Sequence, residues 1–207
     1  MKILAAADIH GAQYRLNIIL DNIEKYSPDL VVICGDITQF GPGEIATNFL
    51  NQIPVETLAV PGNIDTPDVG KAIDESKAEN IDLKRIVKDK ISFVGMGGET
   101  ISLTNLISDN KDKKSINEII DEETILVTHV PPYKLQDKVY VGRHIGSKEL
   151  KNLVEKYHPR LVLCGHVHED PGFTRFQNSL IVNCSIGKRT EGMLIEINKE
   201  IDINILG

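Results

Sequence analysis

Leu30–Cys34 is a run of five apolar residues, Leu-Val-Val-Ile-Cys, that stops at Gly35-Asp36. Consecutive branched residues without polar alternation fit a strand buried on both faces, and such strands belong to parallel sheets covered by helices. That narrows the chain to an α/β architecture, in which ligands sit beyond the carboxyl ends of the strands. A single Asp after one strand is ordinarily a turn or cap residue. Its meaning depends on how the other strands end.

Four more end in the same manner. Lys2–Ala7 runs into Asp8-Ile9-His10-Gly11, and Val55–Val60 into Pro61-Gly62-Asn63-Ile64-Asp65. Thr124–Thr128 runs into His129, and Leu161–Cys164 into Gly165-His166-Val167-His168. Between the first strands, Leu16, Ile19, Leu20 and Ile23 mark one face of a helix that Ser27-Pro28 closes. A short helix is expected near Glu44–Asn51, after the Gly41-Pro42-Gly43 turn. This alternation implies parallel pairing with right-handed crossovers.

Further along, Val69–Lys77 is expected to be helical, and Lys84–Val87 and Ile91–Val94 to form a hairpin about Asp89-Lys90. Gly95-Met96-Gly97-Gly98 lacks the last glycine of a dinucleotide fingerprint, Thr100 standing in its place, and reads as a turn. Asn110–Glu123 is the most loop-like stretch, with partial helix. Ser147 caps a helix marked by Leu150, Leu153, Val154 and Tyr157 and ended by His158-Pro159. The short strands Phe173–Phe176, Leu180–Cys184, Met193–Ile197 and Ile201–Ile205 make an antiparallel tail.

With 207 residues and no evident linker, one domain spanning 1–207 is expected. The net charge of -7 disfavours a broad nucleic-acid surface but permits a small polyanion where metal ions invert the local charge. No apolar stretch reaches membrane-spanning length, and Asp8 and His10 interrupt the first apolar run. A cytoplasmic protein without membrane contact is expected. Cys34, Cys164 and Cys184 are odd in number and widely spaced, as suits buried reduced thiols.

The strand ends thus collect Asp8, His10, Asp36, Asn63, His129, His166 and His168. Oxygen and imidazole ligands without thiolate suit divalent ions such as manganese, iron, zinc, magnesium or nickel. In D-x-H and H-x-H, alternate residues of an extended segment point the same way. Gly35, Gly62 and Gly165 are expected to allow sharp turns that aim the ligand after each. One carboxylate can bridge two ions about 3.5–4 Å apart.

In this order, Asp8-Ile9-His10, Gly35-Asp36, Gly62-Asn63, His129 and Gly165-His166-Val167-His168 resemble the motifs of calcineurin-like metallophosphoesterases. The form of the motifs is most similar to small prokaryotic members related to cyclic-nucleotide phosphodiesterases. The resemblance implies a four-layer α/β/β/α sandwich and two divalent ions, with manganese favoured. One ion would take Asp8, His10, Asp36 and His168, the other Asp36, Asn63, His129 and His166. A bridging hydroxide would attack a phosphodiester, in preference to a phosphomonoester, of a small phosphorylated substrate such as a nucleotide. Oligomeric state is left open, a homo-oligomer included.

One position departs from the family pattern. Ile64 stands where the family carries a histidine that helps protonate the leaving group. Asp65 keeps its place and is expected to orient neighbouring groups. His144, in the long loop 130–143 or just past it, is the candidate substitute acid. The loops Phe40–Glu44, Gly98–Ser108 and Pro131–Arg143 are expected to set specificity. Ile64 also motivates an alternative: a metal-stabilised protein-interaction module with weak or vestigial activity.

Overall fold

The computed structural model describes residues 1–98 and 119–207. The expectations for Gly98–Ser108 and Asn110–Glu123 therefore fall largely outside the described residues. The strands are β1 Lys2–Ala6, β2 Leu30–Cys34, β3 Thr57–Val60, β4 Glu79–Asn80, β5 Arg85–Lys88, β6 Ile91–Met96, β7 Thr124–Thr128, β8 Leu161–Cys164, β9 Gly172–Phe176, β10 Ser179–Asn183, β11 Met193–Ile197 and β12 Ile201–Ile205. The helices are α1 Gln13–Tyr26, α2 Gly43–Gln52, α3 Pro67–Asp74 and α4 Lys148–Tyr157.

Among the described residues two six-stranded sheets form, in the orders β12-β11-β1-β2-β3-β4 and β5-β6-β7-β8-β10-β9. In the first, the parallel run β1-β2-β3-β4 has the antiparallel strands β11 and β12 on one side. In the second, the parallel strands β6-β7-β8-β10 are flanked by antiparallel β5 and β9. The tail is therefore split. β11 and β12 extend the first sheet antiparallel, β9 pairs antiparallel with β10, and β10 itself runs parallel to β8. Local alternation could not reveal that split, because partner choice depends on which sheet edge is open.

Period-two alternation sorts the side chains into three cores, and these are the seams of four layers, α/β/β/α. Ile3, Val32, Leu58 and Ile195 meet Phe93, Ile125, Leu163 and Val182 between the sheets. The alternate residues Leu4, Val31, Ile33 and Ala59 pack under α1, α2 and α3. Val94, Leu126, Val162 and Ile181 pack under α4. Each fully buried aliphatic contributes about 1.5–3 kcal/mol relative to exposure.

The local signals hold with small shifts in boundary. α1 and α4 end on left-handed Ser27 and His158, each followed by Pro. The Ser147 hydroxyl accepts from Leu150 N at 3.1 Å, capping α4. Asp89 and Lys90 both have positive φ, as a two-residue hairpin turn of the primed type needs. α3 starts earlier than the apolar spacing implies, because Pro67 is preset for the first helical turn.

The glycines at the strand ends serve two purposes. Gly35 is left-handed, with φ +86°, and does make the turn. Gly62 and Gly165 are not left-handed; they are needed for space. A Cβ on Gly62 would lie 2.0 Å from Asp36 Oδ1, and one on Gly165 would lie 2.4 Å from the Ala7 Cβ. The expectation of turns at these two positions is corrected to one of close approach. Gly62→Ala is expected to destabilise the fold by about 1–3 kcal/mol. Gly70→Ala, in open space within α3, should stabilise it by roughly 0.5–1 kcal/mol. Urea unfolding of the two variants checks this, and equal stability would refute the close-approach account.

Candidate metal centre

All seven strand-end ligand candidates arrive at one edge, where both sheets present the carboxyl ends of their parallel strands. The loops after β1 and β2 leave as a pair. Asp8 N donates to Gly35 O at 3.1 Å, His10 N to Asp36 O at 2.8 Å and Gly11 N to Ile37 O at 2.8 Å. In the other sheet the loops after β7 and β8 are joined by Gly165 N to His129 O at 2.8 Å. That sheet is tied to the first through Ala7 N to Cys184 O at 3.1 Å and a bridge between Ala7 and Ser185. Four of the seven residues sit in the left-handed region: Asp8, His10, Asp36 and His166. Asp and His tolerate it better than branched residues, yet strain of this kind gathers at functional sites.

Asp8, His10 and His168 bring ligand atoms within 4.8 Å of one another, and so do Asp8, Asp36 and His129. His10 Nε2 lies 3.2 Å from His168 Nε2, and His168 Nε2 lies 3.4 Å from Asp8 Oδ1. On the other side, Asn63 Oδ1 sits 2.8 Å from His129 Nε2 and 3.0 Å from His166 Nδ1. Asp36 Oδ2 reaches both groups, 4.0 Å from His10 Nδ1 and 3.4 Å from His129 Nε2. Its other oxygen accepts from Ile64 N at 3.2 Å.

The donor chemistry fits divalent cations. His129 Nδ1 donates to Cys34 O at 2.9 Å, which turns the Nε2 lone pair toward Asn63 Oδ1. Two acceptors then face each other unless a proton or a metal ion lies between. His10 Nδ1 is buried without a hydrogen-bond partner among the described residues. The thiols take no part: burial pushes Cys34 and Cys164 well above their ordinary range.

Electrostatics record the same crowding. Burial pushes the Asp8 carboxyl up, but the His168 hydrogen bond and the charges of His129 and His168 outweigh it, giving about 2. Burial holds His10 and His166 below their usual value. Burial also pulls His129 down, yet Asp36, Asp8 and the Cys34 carbonyl together raise it. His168 is raised by its hydrogen bond with Asp8.

Asp65 is a brace. Its carboxylate accepts from Ile37 N at 3.0 Å, Thr38 N at 2.8 Å, Thr38 Oγ1 at 2.8 Å and Gly62 N at 2.8 Å, locking the β2 loop to the β3 loop. His144 is not brought among the seven; it lines an adjacent cavity of about 890 Å³ that also includes His166. Ile64 is half-buried beside Asp36. Three residues escaped the sequence reading: Arg15, whose guanidinium donates to the Asp8 carbonyl; Ser185, beside Asp8; and Asp137, hydrogen-bonded to His144. Arg15 stands on the first turn after D-x-H, a position from which a helix reaches back over its own loop. That placement was the available signal.

A profile of the calcineurin-like phosphoesterases matches residues 1–170, which takes in every one of these ligand candidates. The chain belongs to the calcineurin-like phosphoesterase family. It is 33% identical over 199 residues to the protein MJ1162 of Methanocaldococcus jannaschii, covering 89% of this chain and 88% of that one. It is 30% identical over 189 residues to a probable glycerophosphodiester phosphodiesterase, GpdQ, of Arcobacter nitrofigilis, covering 84% of this chain and 68% of that one. The crystal structure of TT1561 from Thermus thermophilus superposes with a TM-score of 0.72 at 15% identity, over 99% of this chain and 98% of that one. This calcineurin-like phosphoesterase is accordingly a metal-dependent phosphoesterase, and the strand-end cluster is its candidate metal centre.

Protons and cations would compete for this candidate centre. His129 and His168 have raised values, so the stability they give the metal-free fold is fully present below about 6.5, the ordinary histidine value, and is lost as pH rises through the raised ones. A metal ion held by these residues would have to displace those protons. Titration calorimetry with manganese, run in buffers of different ionisation enthalpy, should show proton release that shrinks as pH is raised. Release that is absent at every pH would refute this account.

Proposed function

We propose that the protein is a dinuclear phosphodiesterase acting on a small organic phosphodiester. The observation that carries this reading is the convergence of seven oxygen and imidazole donors from both sheets, with Asp36 within reach of both histidine groups. One ion is assigned to Asp8, His10, Asp36 and His168, the other to Asp36, Asn63, His129 and His166. Asp8 belongs to both of the compact groups, so its carboxylate too lies near both sets of donors. When bound, the ions polarise the attacking water and neutralise charge on the phosphoryl group. Manganese is the favoured metal, and a cytoplasmic location is proposed with it, in keeping with three free buried cysteines.

The chain's own residues prepare the site. Asp65 fixes the two loops that present Asp36 and Asn63, so both side chains are oriented before substrate arrives. The Cys34 carbonyl sets the tautomer of His129. The neighbouring cavity, with Tyr133, Arg143 and Lys148 on its wall, has room for the ester group that a diester carries beyond its reacting phosphorus. Two cations there suit a compact anion, whereas a nucleic-acid strand needs a longer basic track. The name of the Arcobacter relative points to the same substrate class. Among the described residues no helix is long and apolar enough to cross a membrane.

Manganese-loaded protein is expected to hydrolyse bis(p-nitrophenyl) phosphate, and Asp36→Asn to abolish that turnover. If wild type shows no turnover above Asp36→Asn, the enzyme reading is refuted and the interaction-module reading takes its place.

A further inference from the structure

The loop between β7 and α4 carries a second acid–imidazole arrangement outside the seven donors. Asp137 is fully buried, and its carboxylate accepts three hydrogen bonds. Lys134 N and Gly146 N each donate to Oδ2 at 2.9 Å, and His144 Nδ1 bonds Oδ1 at 2.6 Å. The two backbone donors come from opposite arms of the loop, so the carboxylate clasps it shut. Bridges between Pro132 and Ser147, and between Lys138 and His144, close it again. The Tyr133 ring stands edge-on to the His144 ring, with centroids 5.9 Å apart.

His144 is therefore held in one orientation. Nδ1 is committed to Asp137, so a proton that the ring trades with a bound molecule must move at Nε2. The side chain is 31% exposed and shares its cavity with His166, which the preceding assignment makes a metal ligand. Ile64, beside Asp36, has no proton to give.

Resting on the phosphodiesterase reading, we infer that His144 is the acid that protonates the leaving group, that Asp137 is its positioning residue, and that the pair serves esters of unactivated alcohols. An activated phenol leaves readily as its anion. An alkoxide is far more basic and needs a proton as it departs. When the bond between phosphorus and the leaving oxygen breaks, the imidazolium Nε2–H passes its proton to that oxygen, and the ring becomes neutral. The attacking water keeps its oxygen and one hydrogen on phosphorus and releases its other proton to solvent, from which His144 is recharged. Buried Asp137 holds the ring in place, as a carboxylate behind a catalytic histidine does.

The test uses full-length, manganese-loaded protein and phosphodiesters whose leaving alcohol runs from p-nitrophenol through phenol to ethanolamine. His144→Gln should lose about a hundred- to ten-thousand-fold in kcat on the ethanolamine ester. Its loss on the p-nitrophenyl ester should be far smaller, so that log kcat depends more steeply on leaving-group pKa. The alkaline limb of the wild-type pH profile should vanish with it, and added imidazole should restore turnover of the ethanolamine ester by His144→Ala. Metal content, by elemental analysis, should match wild type. Asp137→Asn should lower kcat on the ethanolamine ester more than on the p-nitrophenyl ester and shift the nitrogen resonances of His144. Equal losses along the series, or none, overturn the inference while the phosphodiesterase reading stands. Failure of wild type on every diester overturns both. Should Asp137→Asn not fold, the His144 variants and the imidazole rescue decide alone.

Discussion

The structure depends on the burial of two sheet faces against each other. Ile3, Val32, Leu58 and Ile195 on one side and Phe93, Ile125, Leu163 and Val182 on the other give up water together. Because each sheet has a parallel centre, that packing brings the carboxyl ends of β1, β2 and β3 to the same edge as those of β7 and β8. Nothing in the loops themselves could collect ligands from such distant parts of the chain. The bridge from Ala7 to Ser185 joins the sheets at that edge, where the ligand loops begin.

At that edge, the fold tolerates a local conflict. Carboxylate, amide and imidazole acceptors are pressed together, and His10 Nδ1 is buried without a partner among the described residues. A core of this kind is unfavourable unless positive charge is supplied. In the metal-free protein, protons on His129 and His168 supply some of it. Divalent ions bound there would supply it more fully, and in doing so would link the candidate metal centre to the stability of both sheets.

Much of this was legible in the residues, for identifiable reasons. Leu30–Cys34, Thr124–Thr128 and Leu161–Cys164 coincide with observed strands because an uninterrupted apolar run leaves no other way to bury both faces. The seven ligand candidates could be read because strand ends are fixed points in such a fold. The split of the tail between two sheets could not be, since β10 and β11 carry similar apolar patterns and their partners are chosen by open edges. The need for Gly62 was visible as a glycine, but its cause was not: the atom it avoids, Asp36 Oδ1, lies 26 residues earlier in the chain. Asp137 was hidden for a similar reason. A lone acid in a loop acquires meaning only when seven residues of backbone fold back to set His144 upon it.

The left-handed backbone at Asp8, His10, Asp36 and His166 links ligand choice to main-chain shape. Asp and His are among the few residues besides glycine that accept this conformation readily. A longer carboxylate or a thiol at position 36 would have to satisfy both the ion and a φ of 51°. Metal preference in this scaffold is therefore not a free variable of side-chain chemistry. An engineer who wishes to retune it must redesign the turns together with the ligands, and a site transplanted as side chains alone would arrive without the curvature that makes it close.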